Sequence, residues 1–147
     1  MRKLIYLSIL VFFTGCFSSS FNYKTDKTLK QNFAYSQKTG DMVLYYNIKF
    51  NNTDKVLDIN IKNVSNMFIK GLSLDITDDS GKLNKYLYIG NIKNLNSKTI
   101  SLEVDKNLSK LYISFKYEIM PEDAFLNPNI SDNGLFEKTE KTILIIK

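Results

Sequence analysis

Three kinds of side chain in this 147-residue sequence could do chemistry, and their settings differ. Cys16 is the single cysteine, and it follows the apolar run Leu4 to Phe13 and the small residues Thr14 and Gly15. A lone thiol can be acylated, attack a substrate or ligate a metal, but it cannot close a disulfide within its own chain. Asp75, Asp78 and Asp79 gather carboxylates of the kind that hold calcium. Glu122 and Asp123 form a second acidic pair, and paired carboxylates hydrolyse glycosides only when both face one site at the required separation. Against both readings stands the plainer one of solvated turn residues, because the EF-hand spacing is absent and adjacent loop carboxylates rarely converge. Tyr45, Tyr86, Tyr88, Tyr112 and Phe125 are the candidate partner surface. Tyrosine rings clustered on an outward strand face suit a glycan or a protein, and unclustered they are ordinary cross-strand pairs.

What is missing narrows the chemistry further. The sequence has no histidine and no tryptophan. That removes Ser-His-Asp and Cys-His nucleophilic machinery, histidine-ligated zinc or copper, and the commonest general base. No Walker loop, dinucleotide-binding glycine pattern or EF-hand loop occurs, and only six glycines are available to build one. The expectation is a protein that is not an enzyme and uses no metal and no cofactor. The net charge of +5 is spread over single lysines, and Arg2 is the only arginine. Bidentate recognition of phosphate or guanine is therefore out of reach of the folded part, and nucleic acid is not an expected partner.

The N-terminus reads as a processing signal. Arg2 and Lys3 precede Leu4 to Phe13, a stretch broken only by Ser8. Ten helical residues span roughly 15 Å, about half a hydrocarbon core, too short for a membrane-crossing helix. With Phe13, Thr14, Gly15 and Cys16, the segment resembles the lipobox of bacterial lipoproteins. The resemblance implies cleavage before Cys16 by signal peptidase II and diacylglycerol on its thiol, often with further acylation of the new amino terminus. Residues 1–15 would be the signal peptide and 16–40 the lipidated N-terminus and tether, with Ser18, Ser19 and Ser20 in its flexible part. The implied address is the cell envelope, with the membrane reached through the lipid on Cys16. Phe17 is not the aspartate that resembles an inner-membrane retention signal, so in a Gram-negative cell the implied site is the periplasmic leaflet of the outer membrane.

The elements that must position the remaining groups are strands. Met42, Leu44, Tyr46, Ile48 and Phe50 alternate with Val43, Tyr45, Asn47 and Lys49, the two-residue period of a sheet with one face buried. Similar alternation runs through Leu57 to Ile61, Leu72 to Ile76, Ile100 to Val104 and Leu111 to Ile119, and Leu83 to Ile89 reads as a strand rich in Tyr86 and Tyr88. Thr142 to Ile146 reads as a last strand buried on both faces. Gly71 marks a bulge, and Asp78-Asp79-Ser80-Gly81 a hairpin turn. The lysine-bearing strand Lys55 to Lys62 reads as a guarded sheet edge. The fold expected for 41–147 is all-β, a single antiparallel immunoglobulin-like β-sandwich of about seven strands, with a closed barrel as the structural rival.

Asn63-Val64-Ser65-Asn66, Leu74-Asp75-Ile76-Thr77-Asp78 with Gly81, Gly90, and Thr99-Ile100-Ser101-Leu102 give a second resemblance, to FxLYD-type immunoglobulin-like modules of bacterial envelope proteins. The shared part is the apolar-x-apolar-x-Asp skeleton between Tyr45 and Val104, and it implies a fold without a shared catalytic residue. Pro121 to Lys138 interrupts the strand pattern while keeping Phe125, Leu126, Ile130, Leu135 and Phe136, a long loop that packs on the sandwich or on a partner. Together these features point to a membrane-anchored binding or scaffolding module with an envelope protein or glycan as partner. An envelope hydrolase or calcium-dependent factor working through the acidic loop residues is the competing expectation.

Overall fold

In the computed structural model, which describes residues 32–51, 53–126 and 136–147, two four-stranded antiparallel sheets face each other. Sheet A contains β1 (Tyr35–Thr39), β2 (Met42–Phe50), β3 (Asp54–Asn63) and β6 (Ser97–Asp105), in the order β1-β2-β3-β6. Sheet B contains β4 (Phe68–Thr77), β5 (Asn84–Ile92), β7 (Lys110–Met120) and β8 (Phe136–Ile145), in the order β5-β4-β7-β8. A short helix α1 (Glu122–Leu126) lies between β7 and β8. The chain changes sheet from β3 to β4, from β5 to β6 and from β6 to β7, the crossing pattern of an immunoglobulin-like sandwich. Each sheet ends in two edge strands, which distinguishes it from a closed barrel. Among the described residues no helix is long and apolar enough to cross a membrane.

The alternation in the sequence becomes the core. Leu44 on β2, Leu57, Ile59 and Ile61 on β3, Leu72, Leu74 and Ile76 on β4, and Leu111, Ile113 and Phe115 on β7 meet between the layers. Bringing these side chains out of water is the main favourable term, and every second residue faces the other way because strand side chains alternate. Gly71, at φ +63°, shifts the β4 pairing between Lys70 and Ser73, so the bulge lies where the apolar phase changes. Gly40 opens the two-residue turn between β1 and β2 at φ +51°, where a Cβ would come within 2.8 Å of the Glu140 side chain.

Four expectations need correction. β1 is an eighth strand, paired with β2 from Tyr35↔Tyr46 to Thr39↔Met42, and it lies within the 16–40 stretch read as N-terminus and tether. Its polar sequence carries no alternation of its own; the pairing comes from β2. β8 begins at Phe136 and buries one face only: Thr142, Leu144 and Ile146 are inside, whereas Ile143 and Ile145 are exposed because β8 is an edge with nothing described over its outer side. Phe50 has the inward phase of β2, yet at the end of the strand it is exposed beside the Lys55 ammonium, 5.7 Å from its ring centre. β3, read as a guarded edge, is an interior strand between β2 and β6.

Lys55 on β3 accordingly points inward and is 6% exposed. Its ammonium donates to the carbonyls of Leu108 at 2.7 Å and Ile146 at 2.9 Å, tying the β6–β7 turn and the C-terminal strand to the end of the core. At the other end Asp41 accepts from the Tyr117 hydroxyl at 3.0 Å and from Lys138 at 2.7 Å, joining the β1–β2 turn to sheet B. Burial, and then the Asp41 carboxylate beside it, push the Tyr117 phenol far above its usual range. Asn63 is fully buried, donating to the carbonyls of Met67 at 2.7 Å and Ile92 at 3.1 Å while its Oδ1 accepts from the backbone N–H and hydroxyl of Ser65. The Asn-containing turn of the sequence is thus the joint where the chain passes from sheet A to sheet B.

Candidate functional site

Outward positions of sheet B form rows across the four strands, because antiparallel register places their side chains opposite one another. One row runs Tyr88, Ser73, Lys116, Thr139; the next Tyr86, Asp75, Ser114, Lys141; the third Asn84, Thr77, Tyr112, Ile143. Tyr86 and Tyr88, two residues apart on the edge strand β5, are 63% and 67% exposed, and Tyr112 on β7 is 37% exposed. Ser73, Asp75 and Thr77 on β4 therefore lie between the tyrosines of β5 and the strand that carries Tyr112, and adjacent strands about 4.8 Å apart put β5 and β7 roughly 10 Å from each other.

The other two proposed surface residues lie elsewhere. Tyr45 faces outward on sheet A, between Ser36 and Asn60, and is only 3% exposed, so it does not join the partner surface. Phe125 stacks on Phe68 with ring centres 3.9 Å apart, and this contact docks α1 on the start of β4. The two carry the same outward or irregular signature in sequence as Tyr86, but their neighbours differ. Cys16 lies outside the described residues.

A groove of about 550 Å³ opens beside Tyr112, with Asp75, Thr77, Ser114, Lys141 and Ile143 in its lining. Asp75 is held by Lys116 at 3.4 Å. The Asp79 carboxylate near the Tyr112 hydroxyl raises its phenol above the ordinary value. Thr77, Ser114, Lys141 and Ile143 were not singled out by sequence reasoning. The strand phase of Thr77 and Ser114 marks them as outward; only the register across β4, β7 and β8 brings them to one place.

The acidic candidates are already occupied by local structure. Asp78 accepts from the Ser80 hydroxyl at 2.6 Å and the Leu83 backbone N–H at 3.1 Å, and these bonds, the Ser80 one first, hold its carboxyl below the usual range. A cleft of about 700 Å³ at this end is lined by Asp54, Asp78, Glu103 and Asp105 together with Lys82 and Lys85. Its Asp54 and Asp105 carboxylates accept from Thr53 and from the backbone N–H of Asn107. Glu122 faces Lys93 at 3.9 Å, and Asp123 accepts from the Ala124 N–H. Phe68 pairs with Met120 and Thr77 with Tyr112, so Glu122 and Asp123 sit at the opposite end of β4 from Asp75 to Asp79, about 30 Å away for a ten-residue strand. Among the described residues no three His, Cys, Asp or Glu side chains form a group able to hold a metal ion.

No family model matches the sequence, and no curated protein matches it. Among solved structures the chain is similar to a penta-heme cytochrome c552 from Thermochromatium tepidum, at 10% identity and a TM-score of 0.35, over 72% of this chain and 40% of that one. A likeness this slight carries no argument about fold or heme.

Proposed function

We propose that the chain is a non-enzymatic binding or scaffolding module of the bacterial cell envelope, lipid-anchored through Cys16, that presents the outer face of sheet B to an envelope protein or glycan. The observation that carries it is the grouping of Tyr86, Tyr88 and Tyr112 on one outward sheet face, two of them more than half exposed. Large rings with a polar tip lose little conformational freedom on binding and serve both apolar and hydrogen-bonded contacts, which is why they are enriched at interfaces. The anchor is supported by the sequence alone. One acyl chain binds a membrane marginally and two or three hold firmly, so a lipidated Cys16 would keep the sandwich at the membrane surface. In a Gram-negative cell that surface is the periplasmic side of the outer membrane.

Cys16→Ala should move the product to the soluble fraction or leave unprocessed precursor, and palmitate labelling should disappear. An unlipidated, globomycin-insensitive mature form in the wild type would refute the anchor. Crosslinked envelope captured with the wild type should yield a partner whose recovery falls several-fold when Tyr86 and Tyr88 are both replaced by Ser. Equal recovery with that variant, or repeated recovery of nothing, would refute the binding face.

A further inference from the structure

We propose that the groove beside Tyr112 binds a sugar unit bearing a carboxylate, with the pyranose against Tyr112 and Ile143 and the carboxylate on Lys141. This rests on the reading of the outer face of sheet B as the binding face, and it names the ligand.

The lining divides into two kinds of surface. The Tyr112 ring and Ile143 are cross-strand partners, and both are partly exposed, giving an apolar wall for the C–H face of a ring. Asp75, Thr77 and Ser114 are short and polar, and the hydroxyls of Thr77 and Ser114 make no hydrogen bond to any described residue. They are free to bond the hydroxyls of a ligand, and a sugar ring carries both an apolar face and a hydroxylated rim.

Charge selects among sugars. Asp75 is paired with Lys116 at 3.4 Å. Lys141, opposite Ser114 on β8, has no carboxylate within ion-pair distance among the described residues. Its neighbours on the same face of the strand are Thr139 and Ile143, and Tyr112, Ser114 and Lys116 lie across on β7. Of the two charged side chains in the lining, Asp75 has its ion-pair partner and Lys141 has none among the described residues, so the Lys141 ammonium is the one available to an anionic group. A volume of about 550 Å³ falls in the range of small-ligand sites and suits one or two sugar rings.

The test is calorimetric titration of the full chain in detergent with a uronic-acid tetrasaccharide and with a neutral tetrasaccharide of the same linkage. The uronate should bind about fivefold more tightly, the range of an exposed ion pair. Lys141→Gln should erase that preference and leave the neutral ligand unchanged. Tyr112→Ala should weaken both roughly tenfold, and Tyr112→Phe, which keeps the ring, should weaken neither by more than about twofold. Absence of saturation by either saccharide at millimolar concentration, or a preference that survives Lys141→Gln, overturns the proposal. A protein partner captured through Tyr86 and Tyr88, with no saccharide binding, overturns the sugar assignment while leaving the binding face standing.

Discussion

Tyr117→Phe removes one oxygen from the junction of the two sheets and nothing from the packing. The hydroxyl donates to Asp41 at 3.0 Å from a side chain only 3% exposed, and Lys138 bonds the same carboxylate oxygen at 2.7 Å. A hydrogen bond to a charged group contributes about 1.5 to 3 kcal/mol, and here Lys138 remains to hold Asp41, so the lower end applies: about 1.5 kcal/mol at neutral pH. At roughly 4 °C per kcal/mol for a sandwich of this size, Tm should fall by about 6 °C. The pH dependence is the sharper measurement. The native phenol is raised and the unfolded one titrates near 10, so this stability is fully present below pH 10 and is lost as pH climbs through the native value. Each pH unit in that window removes about 1.4 kcal/mol per proton. Urea unfolding of the wild type at pH 7, 10 and 11 should show the alkaline decline, and Tyr117→Phe should flatten it by close to one proton. A variant within 0.3 kcal/mol of the wild type at pH 7 (roughly the error of such measurements), with the same alkaline slope, would refute the reasoning.

Two further perturbations bear on the ends of the core. Lys55→Met keeps the aliphatic stem but leaves the Leu108 and Ile146 carbonyls without their donor; even after relief of the buried ammonium, stability should fall by about 2 kcal/mol, with amide exchange accelerated first in β8. Equal stability and unchanged β8 protection would show that the ammonium does not hold the C-terminal strand. Asn63→Ala deletes donors to Met67 and Ile92 and the acceptor for Ser65 at a fully buried position, and should cost about 3 kcal/mol by denaturant unfolding. Asn66→Ala, exposed in the same turn, should change stability by less than about 0.5 kcal/mol; similar losses for both would refute the assignment of Asn63 as the joint.

Much of the fold was legible because alternation is a local property. β4, β6 and β7 announce their buried faces residue by residue, β2 does so up to Ile48, and Gly71 announces its bulge, since a left-handed backbone there favours glycine. β1 and the Glu137 to Lys141 part of β8 were not legible, because their side chains are polar and their place in the sheet comes from hydrogen bonds offered by β2 and β7. The candidate site was legible as to residue type only. Tyr45 and Tyr86 occupy equivalent outward phases, but one is on interior strand β2 and buried and the other on edge strand β5 and exposed.

The sequence by itself determined that the described part is all-β and which aliphatic side chains of β3, β4, β6 and β7 face the core, because a two-residue period divides inside from outside wherever one face is buried. It also set the chemistry within reach, one cysteine with a lipobox-like approach and no histidine. Only the tertiary structure decided that Lys55 and Asn63 would be interior, that the acidic pairs would lie at opposite ends of β4, and that Tyr112, Ser114, Lys141 and Ile143 would line one groove. Those outcomes depend on which strands become neighbours and in what register, and residues as far apart in sequence as Asp75 and Ile143 acquire a common surface only when cross-strand hydrogen bonds set them side by side.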